Sequence, residues 1–170
     1  MACLEPMLPR RQVLAASMTT LPLFVALSAC SGPNPLKGPP PLAADVRTLM
    51  SAILTEDNLV YLYSKTIGVH SGLAGELSPL LAEHHAHLSQ LQARIIVPPG
   101  RHLRVHPTVR PPVPATTQAA LAQIITAERG AISAQLKRLP GATPSQAQLY
   151  ASIAACEATH ITLLNGQTIN

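Results

Sequence analysis

Ile153-Ala154-Ala155-Cys156-Glu157-Ala158-Thr159-His160-Ile161-Thr162-Leu163-Leu164 is the stretch that decides the fold. Ile153 and Leu164 share one helical stripe, and Glu157 and His160 stand on that stripe between them, one turn apart. Three other segments repeat the arrangement: Ile53, Glu56 and Val60; Leu81, His84 and Leu88; Ile125, Glu128 and Ile132. Each stripe is apolar towards its ends and ionisable at mid-length. A buried, unpartnered carboxylate costs several kcal/mol or is forced to take up a proton. Four such interruptions on four core-facing stripes are therefore expected to meet.

The punctuation around these stripes gives four helices. The first is expected from about Leu42 to Val69, broken by Ser71-Gly72 and Gly75. The second is expected to open with Ser78 as N-cap and Pro79 at the first helical position, and to stop at Pro98-Pro99-Gly100. The third follows Thr116-Thr117 and ends at Pro140-Gly141, with Gly130 inside it as a sign of close helix contact. The fourth opens on Thr143-Pro144-Ser145-Gln146, a capping box, and runs to Asn165-Gly166. Long helices and two short connections predict an all-α, antiparallel up-down-up-down four-helix bundle. Glu128 stands about three turns before Leu139, and Glu157 about three and a half after Pro144. His87 and Glu128 stand at similar distances from Ile96 and Gln118, the other ends of their helices. These groups share one level to within about a turn, so a single mid-bundle polar layer is expected.

That layer resembles the ferritin-like fold, whose carboxylate-bridged di-metal members carry Glu, Glu-x-x-His, Glu and Glu-x-x-His on successive helices. Glu56, Glu128 and the pair Glu157-Ala158-Thr159-His160 occupy three of these four stations. The resemblance runs from 42 to 166, by pattern more than by identity. The chain is also similar to small exported ferritin-like proteins of unknown function in actinobacteria. The second helix departs from the pattern: it reads Leu81-Ala82-Glu83-His84-His85-Ala86-His87, so Glu83 has Ala86 three residues on. Either His84 and His87 fill the station with two imidazoles, or Glu83 pairs with His87. The stripe turns His84 inward and Glu83 towards a flank. With one bridging carboxylate gone, a His-rich mononuclear site for Zn, Mn or Fe stands beside the di-iron reading. The metal-ligand candidates are Glu56, His84, His87, Glu128, Glu157 and His160. The competing reading is a hydrogen-bonded layer that holds no metal and fixes helix register.

Composition narrows the class. Aromatic content is 2%, with no Trp and three Tyr, while Ala, Leu and Ile dominate, which favours helix on helix. Net charge is mild, about +3 after residue 29, and with so few aromatic rings nucleic acid is not an expected partner.

Upstream of the bundle, Arg10-Arg11, an apolar run from Val13 to Ala29, and Leu27-Ser28-Ala29-Cys30 form an export signal. The last four residues resemble the lipobox of bacterial lipoproteins, which implies cleavage before Cys30 and acylation of its sulfur and new amino terminus. Arg10-Arg11-Gln12-Val13-Leu14 resembles a twin-arginine signal, with Pro9 where Ser or Thr is usual and Val13 where Phe is usual. The general secretory route, a start at Met7, and a short uncleaved anchor over 13–29 stay open. The expected organisation is a signal peptide over 1–29, a tether over 30–41 whose five prolines favour an extended spacer, and a bundle over 42–166. The implied address is the outer face of a cell membrane, with membrane lipid as partner through Cys30. A homodimer or an envelope protein partner stays open. Cys3 falls in the discarded segment and Cys30 is lipidated, so Cys156 has no disulfide partner and reads as a small buried hydrophobe.

The connection 98–115 is proline-rich and carries Arg101, Arg104 and Arg110 without an acid. It reads as a contact for anionic head groups or as a solvated connector. No nucleophile motif, phosphate-binding glycine loop or zinc-finger spacing is present. The reading is an exported, membrane-anchored lipoprotein with a ferritin-like bundle, to which the sequence assigns no enzymatic activity and no certain cofactor. The alternative is an Fe, Mn or Zn redox or storage protein built on the Glu/His cluster.

Overall fold

A computed structural model describes residues 44–96 and 110–167, and among them every regular element is helical. The signal segment, Cys30, the tether, Arg101 and Arg104 lie outside the described residues. Four α-helices follow one another: α1, Ala44–Val69; α2, Ala74–Gln92; α3, Thr117–Arg138; α4, Pro144–Gln167. No described helix is long and apolar enough to cross a membrane.

Two helix starts follow from their caps. Thr116 has extended backbone and its Oγ1 accepts from the Ala119 amide at 3.3 Å. Thr143 and Gln146 form the reciprocal box: the Gln146 amide donates to Thr143 Oγ1 at 3.4 Å, and the Thr143 amide donates to Gln146 Oε1 at 3.2 Å. The start of α2 differs from expectation. A 3₁₀ turn, Ser71–Leu73, feeds directly into the helix at Ala74, so Gly75 lies inside it and Pro79 is an interior residue. Ser78 does not cap; its Oγ donates back to the Ala74 carbonyl at 2.6 Å.

Helix α1 packs on α2 and α3, and α3 packs on α4. Two apolar clusters give the directions. One gathers Leu62 near the end of α1, Leu77 at the start of α2, Leu121 at the start of α3 and Leu164 near the end of α4. The other gathers Leu49 at the start of α1, Leu91 at the end of α2 and Tyr150 at the start of α4, with Leu139, just past α3, against it. Helices α2 and α3 therefore both run against α1, and α4 runs with it. The expected up-down-up-down order is corrected to up-down-down-up. The physical reason is the connection over 93–116, which is long enough to return along helices of about 30 Å. Its described part lies along α1. Arg110 pairs with Asp57 and stacks over Tyr61, its guanidinium carbon 4.4 Å from the ring centre; further on, the Pro114 carbonyl accepts from His70 Nε2 at 2.9 Å. The loop thus does not begin and end beside the start of α1, as the simpler topology required.

The shared polar level survives this reversal because each group lies near the middle of its helix, and a midpoint keeps its height when a helix is turned over. Gly130 does not mark a close approach: a methyl group there would meet nothing within 4 Å. Gly130→Ala is expected to raise stability by about 0.5–1 kcal/mol through helix propensity, read as a higher urea midpoint with an unchanged slope.

Candidate metal centre

Between the two apolar clusters lies a layer of buried polar side chains. Glu56, His84, Glu128, Gln135, Glu157 and His160 are each 0% exposed, and His87 is 4% exposed. All six metal-ligand candidates from the sequence are thus buried together at one level. The centre of the layer is Glu128. Its Oε1 accepts from Tyr63 Oη of α1 at 2.5 Å, faces His84 Nε2 of α2 at 2.9 Å, and faces His160 Nδ1 of α4 at 3.2 Å. Its Oε2 has no partner.

His84 spans the layer, its Nδ1 facing Glu56 Oε2 at 3.1 Å while Nε2 faces Glu128. Both neighbours are acceptors, so without a metal both ring nitrogens must carry protons. Burial alone would lower the His84 pKa; the hydrogen bonds to Glu128 and Glu56 outweigh it and raise it to about 9. Burial likewise would raise Glu56, yet its bonds from His84 and His87 hold it down at about 2. Glu128 is lowered for the same reason, with His160 and His84 overcoming burial. Tyr63 is pushed up, first by burial and then by the Glu128 charge, so its phenol stays a donor.

Glu157 is the exception. Neither of its oxygens receives a hydrogen bond from a donor among the described residues. Burial raises its pKa, and the charges of Glu56 and Glu128, with a hydrogen bond to Glu56 that only the protonated form can donate, raise it further, to about 10. His87 Nδ1 makes a long contact with Glu56 Oε2, at 3.5 Å. Three buried carboxylate oxygens, two from Glu157 and one from Glu128, thus receive no hydrogen bond among the described residues.

One supporting residue, Gln135, escaped the periodic reading, as did the contacts made by Glu83 and Cys156. Gln135 is buried, while its apolar neighbour Leu136, one turn beyond Ile132 on the third helix's stripe, is 49% exposed. Gln135 Nε2 donates to Glu56 Oε1 at 3.1 Å, while its own Oε1 accepts from Arg138 at 3.0 Å. Its position two turns beyond Glu128 was the available signal. Glu83, turned to a flank as expected and 23% exposed, faces His160 Nε2 with Oε2 at 2.9 Å. Cys156 is buried, as expected, but its thiol also donates to Glu83 Oε2 at 2.9 Å. Of the three arginines assigned to a membrane surface, Arg110 is engaged by Asp57 and Tyr61.

The donor atoms fall into compact sets. Glu56, His84 and His87 form one, His84, Glu128 and His160 a second, and Glu83, Cys156 and His160 a third at the flank, with ligand atoms in each within 4.8 Å of one another. No protein-family model, curated protein or solved structure matches the chain.

The pKa shifts set a pH profile for the metal-free protein. Between its ordinary 4.5 and about 10, Glu157 keeps a proton in the folded state that the unfolded chain has lost, so stability falls as pH rises. His84 acts in the same sense between 6.5 and about 9. Glu56 acts oppositely, and its contribution is lost as pH falls from 4.5 towards about 2. Stability is expected to be greatest near pH 4.5, to fall as pH rises above it, and to fall more steeply between 6.5 and about 9, where His84 adds to Glu157. Denaturation midpoints across this range check the profile. Glu157→Gln should make the alkaline decline shallower.

Proposed function

We propose that this chain is an exported, lipid-anchored protein whose ferritin-like bundle binds a transition metal in its mid-bundle Glu/His layer. One observation carries the metal reading: Glu157 is fully buried between two carboxylates with no donor to either oxygen. A cation there removes the repulsion that otherwise forces a proton onto Glu157. Glu128 Oε2, which receives no hydrogen bond, and His87 Nδ1, 3.5 Å from Glu56 Oε2, supply further ligand atoms at the same level. Carboxylate and imidazole donors suit Fe, Mn or Zn.

Glu56, His84, His87, Glu128, Glu157 and His160 would hold the metal. Fe or Mn held there supplies one-electron chemistry or a stored ion, and Zn supplies charge alone. The chain's own residues do the positioning. Glu83 accepts from His160 Nε2 and so turns Nδ1 inward, the carboxylate–histidine arrangement of metal sites. Tyr63 fixes Glu128, and the Arg138–Gln135 relay fixes Glu56. The leucine clusters on either side keep water from the layer.

Two helical hairpins joined by one long crossover support the ferritin-like assignment. Leu27-Ser28-Ala29-Cys30 supports the lipid anchor and the outer membrane face as address. A second reading rests on His84, whose two nitrogens match two carboxylates without any metal. In it the layer fixes register in an envelope protein whose partners meet its surface.

The two readings separate on metal content. The full chain, loaded anaerobically with Fe²⁺ and desalted, is expected to retain one or two equivalents by mass spectrometry. Loading should release protons in weakly buffered solution, because Glu157 must ionise. Glu128→Ala should retain none while staying helical. Helical wild-type protein without stoichiometric metal would establish the register reading instead.

A further inference from the structure

The second helix breaks the four-station pattern at one residue. His84 stands three residues before His87, in the place of the carboxylate in a Glu-x-x-His pair. An imidazole offers something that a carboxylate does not, two nitrogens that point in diverging directions on a rigid ring. His84 uses both: Nδ1 faces Glu56 at 3.1 Å and Nε2 faces Glu128 at 2.9 Å. It is also common to two compact donor sets, Glu56–His84–His87 and His84–Glu128–His160. We propose, resting on the metal-binding reading above, that His84 is an imidazolate bridge between two divalent ions, one held by Glu56 and His87, the other by Glu128 and His160.

Charge favours the bridge. Two divalent ions bring four positive charges, and the fully buried carboxylates Glu56, Glu128 and Glu157 bring three negative ones once Glu157 ionises. Glu83, the fourth carboxylate at the layer, is 23% exposed and already accepts from His160 Nε2. Loss of both ring protons makes His84 an anion and supplies a fourth fully buried charge. In the balance each His84 N–H bond breaks and its lone pair forms a metal–nitrogen bond, the Glu157 O–H bond breaks, the protons of all three bonds leave to solvent, and no electron moves. Tyr63 and His84 rings lie 4.9 Å apart between centres, as do His84 and His160, so the bridging ring is held on two sides. His160 stays terminal, since its Nε2 is committed to Glu83.

Spacing distinguishes this bridge from a carboxylate one. A ring between two metal–nitrogen bonds of about 2.0–2.1 Å sets the ions roughly 6 Å apart, whereas common two-metal sites hold them at about 3.5–4 Å. Cu²⁺ is the probe, because it binds nitrogen and oxygen sites tightest among the divalent ions and carries one unpaired spin. The full chain is loaded with two equivalents of Cu²⁺, desalted, and measured by copper analysis, X-ray absorption and electron paramagnetic resonance. Two retained ions at the longer, imidazolate spacing with coupled spins, the coupling lost in His84→Gln, are the expected result. His84→Glu, which restores the carboxylate, should keep two ions at the shorter spacing and serves if His84→Gln does not fold. One retained ion, two uncoupled ions, two ions at carboxylate spacing, or coupling that persists in His84→Gln would overturn the bridge and leave the metal reading standing. No retained copper in wild-type protein would overturn both.

Discussion

One oxygen atom ties this fold together. Glu128 Oε1, on α3, meets Tyr63 of α1, His84 of α2 and His160 of α4. All four helices are thereby joined at a single buried acceptor. A carboxylate at 0% exposure would be costly without partners, since each lost hydrogen bond to a buried charge leaves a desolvation penalty of about 1–3 kcal/mol or more. The helices are thus registered by a polar requirement, while apolar packing supplies the driving force around it.

That requirement explains the distribution of apolar residues. The leucine-rich clusters lie towards the two ends and leave the middle to titratable groups. Within this dry middle, hydrogen bonds and charges act strongly on one another. Glu56 and Glu128 are held ionised by histidines, and Glu157, beside both, is held neutral. Carboxyl groups of one residue type are driven apart by their placement alone. A cation in the layer, as proposed, would reverse that separation by relieving Glu157 and replacing the protons on His84.

The periodic pattern located the site well because it asks only which face a residue occupies. It identified Glu56, His84, His87, Glu128, Glu157 and His160, all of them buried together. It failed where hydrogen bonding overrode hydrophobicity. Gln135 displaces Leu136 from the interior because Glu56 needs a donor and Arg138 completes the amide. It failed again on direction. A stripe of apolar residues looks the same read forwards or backwards, so the sense of α3 depended on where the long proline-rich connection from α2 led.

What the sequence determined by itself was local and periodic. The capping box at Thr143, the cap at Thr116, the helical stripes and the mid-length placement of the ionisable residues all follow from neighbours within two turns of chain. What only the tertiary structure decided was which of those residues share atoms. The convergence of three donors on one Glu128 oxygen, the two-sided contact of His84, and the absence of any donor for Glu157 arise between helices far apart in sequence. Their geometry is set by the direction in which α3 and α4 return, and helix propensity carries no information about that direction.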